Sequence, residues 1–230
     1  KPYTGCNPRG LLLSRDKALC KQVVLRGDDI DLTKFAFIQT NPVDAGRYVN
    51  TGSVFMHDPV MGGNFGTYRC QLKGPRLLGL NPEPNQTGWK MLDAARKRGE
   101  KVARISLVLG QDPIVYVVSG SRTANRVGDR PVDELAVAGG LRGRPVEIVK
   151  SETNDFLVPA QAEMVIEGEI TLDDLEREGR YGVVAQVVSA VWGLESFYGT
   201  RKGNVPVISA LSTLAYDGRR GEFFESQLTA

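Results

Sequence analysis

Apolar residues along this chain come in short runs bounded by turn residues, and most of the runs have the length and alternation of β-strands. Gln22-Val-Val-Leu25, Phe35-Ala-Phe-Ile38, Tyr68-Arg-Cys-Gln-Leu72 and Ile105-Ser-Leu-Val-Leu109 are of this kind. So are Pro145-Val-Glu-Ile-Val149, Ala162-Glu-Met-Val-Ile-Glu167, Val183-Val-Ala-Gln-Val-Val188 and Val205-Pro-Val-Ile-Ser209. In the sixth run the alternation puts Glu163 and Glu167 on an exposed face opposite Met164 and Ile166. Two stretches carry helical spacing instead. Trp89 to Lys101 has Trp89 and Leu92 on one side and Lys97, Arg98 and Lys101 towards its end, where positive charge suits a helix C-terminus. Val132 to Leu141 places Val132, Leu135 and Ala136 together and stops at Gly139-Gly140, with Asp129 or Asp133 near its N-terminus. Strands outnumber helices and do not alternate with them as βαβ units. The pattern predicts an α+β fold built on an antiparallel, barrel-like sheet with flanking helices.

Composition narrows the function. The 230 residues are 41% hydrophobic and 24% charged, as in ordinary globular domains, and are read as a single domain. A net charge of +2 gives no argument for nucleic acid or an anionic membrane as partner. No apolar run approaches the roughly 20 residues of a membrane helix. The segment Lys1 to Cys6 lacks the apolar core of a signal peptide, and the absence of a starting Met fits a fragment or a trimmed chain. Cys6, Cys20 and Cys70 have no C-x-x-C spacing, which points to reduced thiols and a cytoplasmic protein. With His57 the only histidine, carboxylates, arginine or a cofactor must carry any chemistry.

Some matches carry little. Ser14-Arg-Asp-Lys17 fits S-x-x-K without its companion motifs, and Asn85-Gln-Thr87 is a glycosylation sequon with no meaning in the cytosol. No Walker or G-x-G-x-x-G sequence is present. Taken alone, Gly110-Gln-Asp-Pro113 reads as a turn leaving a strand.

A larger ordered set is more specific. His57-Asp-Pro-Val-Met-Gly-Gly-Asn-Phe-Gly-Thr-Tyr-Arg69 resembles the UbiD-family segment in which a D-P turn precedes N-x-G-x-Y-R. Leu109-Gly-Gln-Asp-Pro113 is similar to that family's L-G-x-D-P. Asp133-Glu-Leu-Ala-Val-Ala-Gly-Gly-Leu-Arg-Gly143 is similar to its D/S-E-x-x-x-A-G-x-L-R-G. Val158-Pro-Ala-Gln-Ala-Glu-Met-Val-Ile-Glu-Gly168 follows V-P-A-x-A-E-x-V-x-E-G, and Glu178-Gly-Arg-Tyr-Gly-Val183 corresponds to E-G-P-F-G-E/D. The resemblance covers about residues 20 to 190.

The resemblance implies a split-barrel-like, flavin-binding central domain, with the family's N- and C-terminal domains outside these residues, a further polypeptide supplying those domains, and an oligomer. It implies prenylated FMN as cofactor, its phosphate held through Mn²⁺ or Mg²⁺ with a potassium ion nearby. Asn64 and Glu134 take the positions of two metal ligands; hard oxygen donors suit such ions. The third ligand, a histidine, should lie within residues 79–87, where Glu83, Asn85 or Gln86 stands instead. Asn64, Thr67, Arg69 and Glu134 are the implied cofactor contacts. Arg69 and Glu178 take catalytic positions: Arg69 to hold a substrate carboxylate bidentately, Glu178 to support proton transfer. The second acid's position is occupied by Val183, which has no proton to give. The implied reaction is non-oxidative decarboxylation of an unsaturated or aromatic carboxylic acid. The alternatives are a flavin-binding, non-catalytic or partner-dependent subunit, and a barrel using ordinary FMN for redox chemistry. Each residue also has a purely structural reading: Asn64 in a turn, Arg69 on a strand surface, Glu134 favouring a helix dipole.

Overall fold

Most of the short apolar runs assemble into one large antiparallel sheet. A computed structural model describes residues 10–121, 126–127, 130–131, 133–175 and 181–190, all inside the compact unit Lys1–Trp192. Its strands are β1 (Leu11–Leu12), β2 (Val23–Arg26), β3 (Tyr48–Val49), β4 (Ser53–Asp58), β5 (Gly62–Thr67), β6 (Arg69–Gly74) and β7 (Leu77–Asn81). They continue with β8 (Val102–Leu109), β9 (Arg126–Val127), β10 (Arg130–Pro131), β11 (Glu147–Lys150), β12 (Leu157–Pro159), β13 (Met164–Leu175) and β14 (Tyr181–Ala190). Among the described residues three α-helices accompany them: α1 (Thr87–Lys97), α2 (Pro113–Gly120) and α3 (Glu134–Arg142).

The main sheet has nine strands in the order β3-β6-β7-β14-β13-β8-β4-β5, with β2 also on β14. β14 pairs with β7 through Tyr181 to Val184 and with β2 from Val187 onward, so the sheet splits along one strand. This is the α+β, split-barrel-like class that the runs and motifs predict. A second sheet, β1-β11-β12, and the pair β9-β10 stand apart.

Each face of the large sheet has its own core. Met91, Leu92 and Ala95 of α1 pack with Met56, Tyr68, Leu80, Ile105 and Ile166 on one side. Val115 and Val118 of α2, Ala138 of α3 and Ile148 of the small sheet pack with Phe55, Phe65, Val108 and Val165 on the other. Strand β13 lies between β8 and β14, and its residues 164–168 are buried on both faces.

That burial corrects one expectation. Glu163 is exposed, but Glu167 is fully buried. Its carboxylate accepts from the amides of Glu152 and Thr153 and from the Thr153 hydroxyl, each at 2.6 Å, and the buried Lys21 ammonium is 3.7 Å away. A two-sided strand has no solvent face, so its polar residue is satisfied internally.

Three element expectations also change. Phe35 to Ile38 is not a strand: Ile38 makes an isolated bridge to Tyr48, and Arg47 donates to the Thr33 carbonyl at 3.0 Å. Gly110 to Pro113 is more than a turn, because Asp112 caps α2 by accepting from Ile114 N at 2.9 Å, with Pro113 in the first turn. Helix α3 runs through Gly139-Gly140 and ends before Gly143, whose φ of 79° is left-handed. Val205 to Ser209 lies outside the described residues.

Candidate functional site

The turn between β4 and β5 is built by Asp58. One carboxylate oxygen accepts from Val60 N and Met61 N, both at 2.9 Å, and the other takes Arg98 Nη2 at 2.7 Å. Asp58 therefore shapes the hairpin that delivers Asn64 and does not itself border the Asn64 cleft described below. Beyond the turn β5 runs along β4, with Asn64 opposite Met56 and Phe65 stacked on Phe55 at 4.7 Å between ring centroids. Asn64 is thus a strand residue, half-buried, and not a turn residue.

β5 is the last strand of the sheet order, which leaves its outer edge for other partners. Glu134 takes one of them: its Oε2 accepts from Phe65 N at 2.9 Å. Glu134 is placed by α3, whose N-cap Asp133 accepts from Leu135 N at 3.0 Å and Ala136 N at 3.3 Å. The orientation of α3 rests on a motif pair, since Arg142 Nε lies 3.1 Å from Asp112 Oδ2 at the start of α2. The charged residues of the L-G-x-D-P and L-R-G motifs therefore join two helices and serve the site indirectly. The V-P-A-x-A-E motif is also structural in part, with Val158, Ala160 and Ala162 fully buried.

Asn64 and Glu134 border a cleft of about 640 Å³. Its other walls include Thr67, then Glu83, Asn85, Gln86 and Thr87, Lys90 of α1, and Ser119 and Ser121 at the end of α2. Thr67 and Ser119 hydroxyls are 2.7 Å apart and tie β5 to α2. All three residues proposed in place of the missing histidine line this cleft. His57 does not; it is exposed on β4 and borders an apolar cleft on the other side of Asn64 and Glu134. Lys90, Ser119 and Ser121 carry no motif signal; only their positions early in α1 and at the end of α2 mark them.

Arg69 is exposed at the start of β6, opposite Asn81. It lines an adjoining cleft of about 710 Å³ with Tyr48, Asn50 and Asn81. The two clefts share Thr67, Tyr68, Glu83 and Gln86. Tyr68 is buried between them, and its hydroxyl accepts from Gly88 N at 2.9 Å and from Asn64 Nδ2 at 3.4 Å. Burial pushes the phenol's pKa up, and the nearby Glu134 carboxylate acts in the same direction, so the hydroxyl stays protonated.

Glu178 lies outside the described residues. Val183 is 1% exposed, opposite Leu78 and Ile170, and belongs to the α1-side core. It borders none of these clefts.

The donors around Asn64 are amide and carboxylate oxygens, the type that binds hard divalent cations. Among the described residues no three His, Cys, Asp or Glu side chains converge as a self-sufficient cage. The set suits a cation shared with oxygens of a bound anion such as a phosphate, with Lys90 as a further positive group.

Comparison with known proteins places the chain. The family model of the UbiD 3-octaprenyl-4-hydroxybenzoate carboxy-lyase Rift-related domain matches residues 12–209, and the chain belongs to the UbiD family. An uncharacterized protein of Synechocystis is 31% identical over 166 residues, covering 71% of this chain and 32% of that protein. Among solved structures, an evolved dimeric form of the UbiD-class enzyme HmfF from Pelotomaculum thermopropionicum, in complex with prFMN, matches with a TM-score of 0.69 at 32% identity. The match covers 80% of this chain and 45% of that one. Vanillic acid decarboxylase of Sedimentibacter hydroxybenzoicus in closed form matches with a TM-score of 0.68 at 26% identity, over 79% of this chain and 41% of that one. The chain thus spans less than half of each of these relatives.

Proposed function

We propose that this chain is the flavin-binding part of a prenylated-FMN-dependent decarboxylase acting on an unsaturated or aromatic carboxylic acid. The observation that carries the reading is the pair of adjoining clefts, one bordered by Asn64 and Glu134 and the other by Arg69. Asn64 and Glu134 would hold a divalent cation, Mn²⁺ or Mg²⁺, that screens the flavin phosphate, Thr67 would contact the cofactor, and a potassium ion would add to the site. Arg69 grips the substrate carboxylate through two parallel N–H donors. When bound, the cofactor supplies the electron sink for loss of CO₂. Glu178 supports proton transfer to the carbon that CO₂ leaves. The likeness to HmfF in complex with prFMN supports the cofactor.

The test is purification after co-expression with a flavin prenyltransferase. A flavin absorption spectrum, a prenylated-flavin mass and CO₂ release from a panel of unsaturated acids are expected. Arg69→Ala should abolish CO₂ release while leaving the melting temperature unchanged. Colourless protein that takes up neither flavin overturns the reading.

A second reading is a flavin-binding subunit whose chemistry needs a partner. Val183 favours it, because a side chain packed into the core cannot present an acid to either cleft. Prenylated FMN bound without turnover, with CO₂ release restored by an added polypeptide, would select it.

A further inference from the structure

Tyr68 is the buried side chain that both clefts share. Its ring passes between β5 and the first turn of α1, and glycines clear the way. A Cβ on Gly66 or on Gly88 would stand 2.6 Å from the Tyr68 oxygen and 2.7 Å from its Cζ. Contacts that close do not occur, so both positions must lack a side chain for the ring to fit. The hydroxyl then stops at a fixed point, holding an amide hydrogen of α1 through Gly88 N and one of Asn64 through Nδ2.

This contact engages the amino end of the Asn64 amide, at 3.4 Å from the Tyr68 oxygen. An amide offers one acceptor and two donors, and only the oxygen ligates a cation. With Nδ2 on Tyr68, the atom that Asn64 offers is Oδ1. We propose that Tyr68 is a positioning residue, whose hydroxyl turns Asn64 Oδ1 toward a divalent cation held on a ligand phosphate and locks the 83–87 wall beside it. The inference rests on the proposed cation–phosphate role of the Asn64 cleft.

Its test is Mn²⁺-dependent binding of FMN by the full chain, followed by calorimetry and flavin fluorescence, without turnover. Tyr68→Phe keeps the ring between the two glycines and loses the hydroxyl. Apparent Mn²⁺ affinity should fall roughly 10- to 100-fold, as when an orienting partner of a metal ligand is removed. In an Asn64→Asp background, where either oxygen can ligate, Tyr68→Phe should change affinity less than twofold. An equal loss in both backgrounds means a merely structural role and overturns the inference, as does unchanged affinity in Tyr68→Phe alone. Wild-type chain that shows no Mn²⁺-dependent FMN binding instead overturns the cleft assignment itself, and this inference with it. If Tyr68→Phe does not fold, side-chain amide NMR of the unmutated chain with Mg²⁺ and FMN decides. A protected, slowly exchanging Asn64 Nδ2 pair is expected, and a pair exchanging like free asparagine overturns the proposal.

Discussion

At Asp58 a carboxylate with 1% of its surface exposed meets two backbone amides and a guanidinium. Burial alone would raise its pKa. The amides of Met61 and Val60 together with Arg98 more than offset this and hold it below the ordinary carboxylate range. A lowered native pKa means that the stabilisation is complete above the unfolded value, about pH 4, and is lost as pH falls through the native value. Asp58→Ala should therefore cost about 1–3 kcal/mol at neutral pH in denaturant unfolding. The gap between variant and wild type should close in acid. A gap that stays constant from neutral to strongly acid pH would contradict the ionic account. The sequence marks Asp58 as a motif residue without showing that its task is the hairpin. Likewise it marks Asn64, Glu134 and Arg69 but not that Arg69 opens into a separate cleft. Those distinctions depend on which strand lies at the sheet edge, which no local pattern encodes.

The elements show where periodicity suffices. Helices α1 and α3 and strands β8, β11 and β14 are legible within a few residues, and β13 at its start only, because apolar spacing marks them. Strand β5 is not among the predicted strands, since Gly62, Gly63 and Gly66 carry little strand propensity. Helix α2 hides in Ile114-Val-Tyr-Val-Val118, a β-branched run whose only helical signal is the Asp112-Pro113 start. Strand β13 is the instructive error: alternation predicts one wet face, yet over residues 164–168 the strand has none. Glu167→Ala would leave three donors without their acceptor and weaken the pairing of Lys21. It should cost about 3 kcal/mol or more, whereas Glu163→Ala should stay within about 0.5 kcal/mol. Equal costs would contradict the two-sided burial of β13.

On the scale of the whole molecule, the candidate site lies along one margin of the sheet. Asn64 sits on the terminal strand, and α2, α3 and the start of α1 converge on it. The family assignment and the antiparallel α+β fold were legible because the motifs occur in order over most of the chain. Substrate choice was not, since the chain spans only part of each relative's length. The placement of Glu134 has a consequence for how this protein keeps to itself. Its carboxylate occupies an outward amide of β5 and so blunts a margin that would otherwise invite another strand to add on. Removing it strips the proposed cation site and uncovers a template for intermolecular β-pairing. Glu134→Ala should associate with rising concentration in light scattering and gain thioflavin-positive material on storage. Glu134→Gln, which keeps an acceptor oxygen for Phe65, should remain dispersed. The acid assigned to the ligand would thus also act as a gatekeeper against self-assembly.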